Sequence, residues 1–390
     1  MMKFNMVYVN KAESALERKD FSSSFDICRT GLKQTPGDAL LFVIMARTIF
    51  LSPTVVVSWK DIADIATSFL DFNRQNYIQT TAVWHALSYI NSCLIRNGFS
   101  NNDNHLIKFL KQNGRRVNDC KVKLLILTCV WKRHELSRLF FSYYEKLGKK
   151  LSPDIDIQII AVGSEGEISR SICEEYGVHY LEYPNQPLSD KWQAGLNYAR
   201  SFDFDALVVL GSDDFICEDT FRFYSKKVSK GALFLGFQDC YLHDFSSQKT
   251  IYWKGYGASN EQQSQPHRVG ETIGLGRVLR RELLEFMDFD LWEGMGANKS
   301  LDGIMKNKII GKTGFLPVKP VHGVDLTMND VNYSLGMLSY RLKDLGLFGV
   351  DVKVSDNVTA FEKYITSTNV YDDVTLEFSK NGRLDFLNNL

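Results

Sequence analysis

Two adjacent carboxylates stand at the end of an apolar run. Ala206 to Leu210 is uninterrupted aliphatic sequence, and Gly211-Ser212-Asp213-Asp214 follows it. The run reads as a strand covered on both faces. Side-by-side carboxylates repel each other and lose hydration unless water, a cation or donor groups compensate them. A divalent-cation site at the strand's carboxyl end would supply that compensation. A surface turn fits the stretch as well, since Gly-Ser-Asp-Asp is good turn chemistry. Other residues of chemical promise each have an ordinary alternative. Glu165 suits a helix start favoured by the dipole. Lys191 lies near a helix N-terminus, where its charge is unfavourable, and suits an anionic contact or a plain surface. Asp302 suits a helix cap, and His322 suits a structural imidazole.

The elements that must position these residues begin near Val122. "KLLILTCV" (123–130), "DIDIQIIAVG" (154–163), "VHYLEYPN" (178–185) and the run ending in Asp213-Asp214 read as strands. Between them lie amphipathic helices over 134–148, closed by Gly148, over 165–177, ending in Gly177, and over 189–202, with Ser189 as N-cap. Strand and helix alternating through short links predicts a parallel, doubly wound sheet. Ligands of such sheets bind beyond the carboxyl ends of the strands, near the point where strand order switches. Thr128-Cys129-Val130, Gly163-Ser164-Glu165 and Asp213-Asp214 all fall at such ends.

Residues 10–113 carry helical spacing instead, as in Ala82, His85, Ala86, Tyr89, Ile90 and Cys93. "AESALERKDFSSSFDICRTGLKQTPGDAL" reads as two helices joined at Lys19-Asp20-Phe21 and stopped by Pro36-Gly37. That unit resembles one tetratricopeptide-type hairpin, with no clean second copy at the expected period. A single unit cannot bury its own faces, so further helices must pack on it. Both a protein-binding role and a plain appendage fit. The last residues, "DDVTLEFSKNGRLDFLNNL", fit a short helix, a strand or a disordered tail.

Composition narrows the partners. At 390 residues the chain has room for two domains, or one with a large appendage. The formal net charge is zero, so nothing global points to nucleic acid or an anionic membrane. A basic stretch from Lys108 to Lys150 suits a solvated face or an anionic contact. Seven scattered cysteines form neither a disulfide framework nor a metal-ligand spacing. With no signal peptide read at the start, a reducing, cytoplasmic setting is expected. The apolar run Ala39–Ala46 is too short to span a bilayer, so any membrane role would be peripheral.

Residues 122 to about 330 resemble the family 2 type of GT-A glycosyltransferases. The likeness lies in "LILTCVWKR", "VGSEG", "PNQPLSDKWQAGLNYA", the acidic strand end, and "GLGRVLRRELLEF" followed by "WEGMGANKSLDGI". It implies a GT-A domain with a Rossmann-like, mostly parallel sheet over 119–345; outside the likeness, an α-helical, TPR-like accessory domain is expected over 1–118 and a C-terminal extension over 346–390. It implies a metal-dependent enzyme moving a sugar from a nucleotide-diphosphate donor to an acceptor hydroxyl, with Mn²⁺ or Mg²⁺ as cofactor. A glycan, a lipid-linked saccharide, a protein and a nucleic-acid base are all open as acceptor. Asp214 would be the direct metal ligand, with Asp213 toward the ribose or a metal-bound water and His322 completing the set. Ser212 stands where the commoner Asp-X-Asp pattern has its first acid. Asp325 is a weaker candidate for the same neighbourhood. Thr128 and Val130 would line the nucleobase pocket, with Glu165 and Lys191 beside the nucleotide. Asp302 would be the base of an inverting reaction, with Glu293 in reserve. Arg277 would face phosphate or acceptor, and Trp292 would wall a sugar ring. Two other classes stay open. A nucleotidyltransferase would carry a glycine-rich loop after the first strand, which "TCVWKRHEL" lacks. A helical-repeat adaptor with an inactive second domain is the other, kept open by Ser212 and Leu301 at motif positions.

Overall fold

The computed structural model describes residues 5–73, 86, 90, 93, 94, 97, 121–229, 232–255, 271–313, 337–354, 360–366 and 371–389. The chain divides into two compact units, Met1–Gln112 with Lys306–Leu335, and Asn113–Met305 with Gly336–Leu390. No described helix is long and apolar enough to cross a membrane.

The first unit is helical, with helices Met6–Glu17, Phe21–Gln34, Ala39–Leu51 and Trp59–Asn73. Its chain breaks fall at the expected places. Asp20 caps the second helix by accepting from the Ser23 amide at 3.1 Å. Asp38 caps the third, accepting from the amides of Leu40 and Leu41 and, through its other oxygen, from Asn5. The third helix presents Leu41, Phe42 and Met45 to the unit's interior, where Phe42 stacks on Phe69 at 4.2 Å. Of the spacing expected over Ala82–Cys93, Ala86, Ile90 and Cys93 are described, and all three are buried in helix.

The second unit contains twelve described strands. They are β1 Val122–Cys129, β2 Ile155–Gly163, β3 His179–Glu182, β4 Ala206–Val209, β5 Asp214–Ile216 and β6 Phe234–Phe237, then β7 Cys240–Asp244, β8 Lys249–Trp253, β9 Arg277–Arg280, β10 Met337–Tyr340, β11 Gly349–Lys353 and β12 Tyr371–Asp373. Seven form a central sheet in the order β10-β6-β9-β4-β1-β2-β3. Pairing is parallel from β3 through β4 and between β6 and β10; β9 alone runs against its neighbours. The expected α/β class and mostly parallel sheet are therefore present. β4 is buried throughout and β1 from Leu124 to Thr128, because helices cover both faces of the sheet, which is why they read as apolar runs. The order reverses between β1 and β4, so the crevice beyond their ends lies between Val130–Arg133 and Gly211–Asp214.

The helix expected to close at Gly148 runs on to Leu151. Leu147 and Leu151 are both buried, and burying two leucines outweighs the roughly 1 kcal/mol that a mid-helix glycine costs. The strand ending in the acidic pair also differs from the simple reading. β4 stops at Val209, and Asp214 opens a new strand in a second sheet of order β12-β8-β7-β11-β5. The segment after residue 345 supplies β11 and β12 to that sheet and so packs with the α/β unit.

Candidate functional site

Gly211 to Asp214 makes the turn from the first sheet to the second. The Gly211 amide donates to Asp214 Oδ2 at 2.8 Å, and the Asp214 amide returns to the Gly211 carbonyl. A Cβ on Gly211 would come 2.6 Å from Asp213 Oδ1 and 3.1 Å from Asp214 Oδ2, so only glycine lets both carboxylates fold back over the turn. The helix His134–Leu151 braces the next residues. Tyr144 donates its hydroxyl to the Asp214 carbonyl at 2.9 Å and accepts from the Ile216 amide at 3.0 Å. Tyr143 donates to the Ile216 carbonyl.

A third acid joins the pair. β11 pairs with β5 in antiparallel register, which sets Asp351 opposite Asp214. The Val352 amide donates to the Asp213 carbonyl at 2.8 Å. Carboxylate oxygens of Asp213, Asp214 and Asp351 lie within 4.8 Å of one another. Two cations accompany them. Arg133 donates to Asp213 Oδ2 at 2.8 Å and to Ser212 Oγ at 2.9 Å. Lys353 donates to Asp351 Oδ2.

The electrostatics follow from burial and this unequal pairing. Burial, then Asp351 and Asp213, push the Asp214 carboxyl well above the ordinary carboxylate range. Asp351 is pushed up to about 6, chiefly by burial, against the pull of Lys353. Asp213 is raised by burial but held below the usual range by Arg133 and Lys353. Asp351 Oδ1 is buried and has no hydrogen-bond partner among the described residues. Three acids thus share two cations, burial and its neighbours drive Asp214 toward its neutral form, and one oxygen of Asp351 has no donor among the described residues. That set suits a hard divalent cation with oxygen ligands.

The neighbouring strand ends complete one side of the crevice. Glu165 accepts from the Lys132 amide at 2.7 Å and lies 3.2 Å from His134 Nε2. Lys191, on the helix Leu188–Ala199, is fully buried and donates to the Val130 carbonyl at 2.8 Å and to Asn185 Oδ1 at 3.0 Å. Burial lowers its pKa. Thr128 is buried, and its Oγ1 has no hydrogen-bond partner among the described residues. The segment Val130–His134 thus touches the Glu165 side through Lys132 and the aspartates through Arg133.

Arg277 and Asp302 form a second group. Arg277 opens β9 opposite Val209, so it lies beside the exit of β4. It is buried, donating to the carbonyls of Thr272 and Asp302 at 2.6 and 2.9 Å, with its guanidinium 4.0 Å from the Asp302 carboxylate. Asp302, in the first turn of the helix Leu301–Thr313, keeps about a third of its side chain exposed. Trp292 is buried against Trp192 and donates to the Leu301 carbonyl at 3.0 Å, which anchors the start of that helix. Glu293 is exposed. His322 and Asp325 lie outside the described residues.

Arg133, Asp351 and Lys353 were not among the sequence candidates. Arg133 sat in a basic stretch with no feature to set it apart. "GVDVK" alternates apolar and polar residues as a strand with one polar face does, but nothing local names β5 as its partner.

No protein-family model matches the chain, and no curated protein sequence matches it. Solved structures with similarity include S. aureus TarS 1–349 in complex with UDP-GlcNAc, at TM-score 0.35 and 11% identity over 60% of this chain and 60% of that one. A second structure of S. aureus TarS 1–349 gives 0.33 and 13% over 49% and 56%. The 4-diphosphocytidyl-2C-methyl-D-erythritol synthase of Anaerococcus prevotii gives 0.32 and 11% over 63% and 94%. This chain spans less than two thirds of the length of either TarS chain. Likenesses this low carry no functional argument, which rests on the residues.

Proposed function

We propose that the α/β unit is a metal-dependent transferase that moves a sugar from a nucleotide-diphosphate donor to an acceptor hydroxyl. The observation that carries this reading is the partly buried cluster of Asp213, Asp214 and Asp351 at the switch point of the sheet, with Asp351 Oδ1 lacking a donor among the described residues. Asp214 and Asp351, with Asp213 beside them, would hold Mg²⁺ or Mn²⁺. Such an ion, when bound, supplies Lewis-acid stabilisation for the charge that develops on a departing diphosphate.

The chain's own groups account for the rest. Lys191 would lie beside the nucleotide, its buried ammonium holding Val130 and Asn185 in place through two hydrogen bonds. Thr128 and Val130 form the floor on the base side, and Glu165 faces the ribose side. Asp302 would accept the proton of the acceptor hydroxyl as its oxygen attacks the anomeric carbon, giving inversion. Arg277 would position Asp302 through the backbone bond, with its guanidinium 4.0 Å from the carboxylate. Trp292 supports the Asp302 helix from beneath. The helical unit is a candidate surface for a protein partner.

Thermal unfolding with UDP, GDP and CDP, each with and without Mn²⁺, tests the reading. A ligand at about a hundred times its Kd stabilises the native state by about 2.7 kcal/mol. For a unit of this size, that shifts Tm by roughly 5–10 °C. At least one nucleotide should produce this shift only with Mn²⁺, and Asp214→Asn should abolish it. No shift with any nucleotide at millimolar concentration would contradict the proposal.

A further inference from the structure

Arg133 stands in a conformation that needs explanation. It directly precedes the helix His134–Leu151 with φ 23° and ψ 47°, and Lys132 before it has φ 56°. Two successive non-glycine residues in left-handed space cost on the order of 1–2 kcal/mol each. The chain is held there from both sides. Glu165 fixes the Lys132 amide at 2.7 Å, and the Arg133 carbonyl accepts from the Ser137 amide at 2.9 Å. The result is a guanidinium aimed across the crevice from the end of β1 to the end of β4. Its contacts there include Asp213 Oδ2 and Ser212 Oγ, at 2.8 and 2.9 Å. Arg133 therefore already occupies a carboxylate that a cation would need.

This arrangement has a specific consequence, which rests on the donor-site reading above. A guanidinium fork fits phosphate oxygens as well as a carboxylate, and bidentate charge-assisted bonds are strong with either. We propose that Arg133 exchanges partners: it neutralises Asp213 in the ligand-free protein and turns to the donor's diphosphate when a divalent cation is bound by the aspartates. Arg133 then opposes binding of the cation alone, because two positive charges compete for one carboxylate. It favours binding of the nucleotide, because it adds a charged bond to phosphate. The two effects have opposite sign. A permanent structural pair would weaken both kinds of binding when broken, and a contact to phosphate alone would leave the cation's affinity unchanged.

Calorimetric titration separates these cases, using Mn²⁺ alone and then UDP or GDP at saturating Mn²⁺, on the wild type, Arg133→Gln and Arg133→Lys. Arg133→Gln should bind Mn²⁺ about three- to tenfold more tightly once the competing charge is gone. It should bind the nucleoside diphosphate about ten- to a hundredfold more weakly, as loss of a charged hydrogen bond predicts. Arg133→Lys, a point charge that cannot span Asp213 and Ser212 together, should fall between on both axes. Near-UV circular dichroism reports folding, and Arg133→Lys alone carries the test if the glutamine variant does not fold. Equal or weaker Mn²⁺ binding in the variants overturns the partner exchange while leaving the donor site standing. A wild type that binds neither Mn²⁺ nor nucleotide overturns both.

Discussion

Asp351 stands opposite Asp214 in the antiparallel pairing of β11 with β5. Like charges directly across a ladder destabilise it, and here Asp214 is buried, Asp351 partly so, and both titrations are pushed upward. Lys353, itself buried, hydrogen-bonds Asp351 and acts on Asp214 only through its charge. The C-terminal strand thus completes an acidic cluster whose local cost makes sense if a ligand relieves it.

Lys353→Met should destabilise the protein strongly. It leaves Asp351 buried beside two other acids, and breaking a buried pair from one side costs about 3–5 kcal/mol. Asp351→Asn with Lys353→Met should recover most of that loss in urea unfolding while failing to bind Mn²⁺. Equal destabilisation of the single and double variants would show that the pair is not coupled.

Gly211→Ala forces a Cβ to within 2.6 Å of the Asp213 carboxylate. Crowding of this kind costs about 1–3 kcal/mol. Because the clash falls on the carboxylates themselves, Mn²⁺ affinity should fall more than stability does. Crystallography of the variant should find Asp213 rotated away from Asp214.

Tyr144→Phe removes the hydroxyl that bridges the Asp214 carbonyl and the Ile216 amide. Each buried group left unpartnered costs about 1–3 kcal/mol, so the variant should lose at least that much in denaturant unfolding. Tyr143→Phe, which loses one bond to the Ile216 carbonyl, should lose less.

Proton and cation should compete at the cluster. An unfolded aspartate titrates near pH 4, about two units below folded Asp351, which is pushed up to about 6. The folded chain holds that proton more tightly, so this group's contribution is full below about pH 4 and lost as pH rises to about 6. Asp214 acts in the same direction and Asp213 in the opposite one. Without divalent ions, wild type should therefore lose stability relative to Asp351→Asn between pH 4 and about 6. Mn²⁺ affinity should fall below about pH 6, because binding displaces the proton. Affinity independent of pH from 5 to 7.5 would contradict the shift.

The sequence makes the parallel core legible because β1 and β4, covered on both faces, leave continuous apolar runs that no other element explains. The positions of Asp213, Asp214, Glu165 and Lys191 are legible for a related reason: each lies at or near a strand end or helix start whose register the pattern sets. Asp351 is not, since its role depends on β11 pairing with β5, a long-range contact with no local signature. Arg133 is hidden for another reason. Its side chain looks like any other in a basic stretch until the left-handed backbone at Lys132 and Arg133 turns it toward Asp213.

The central claim is that three aspartates hold one divalent cation that a nucleoside diphosphate completes. Electron paramagnetic resonance of Mn²⁺ titrated into the protein tests it most directly. The account predicts one bound ion per chain, a tighter site when UDP or GDP is present, and loss of the bound signal in Asp214→Asn. A spectrum that stays that of free Mn²⁺, with and without nucleotide, would contradict it.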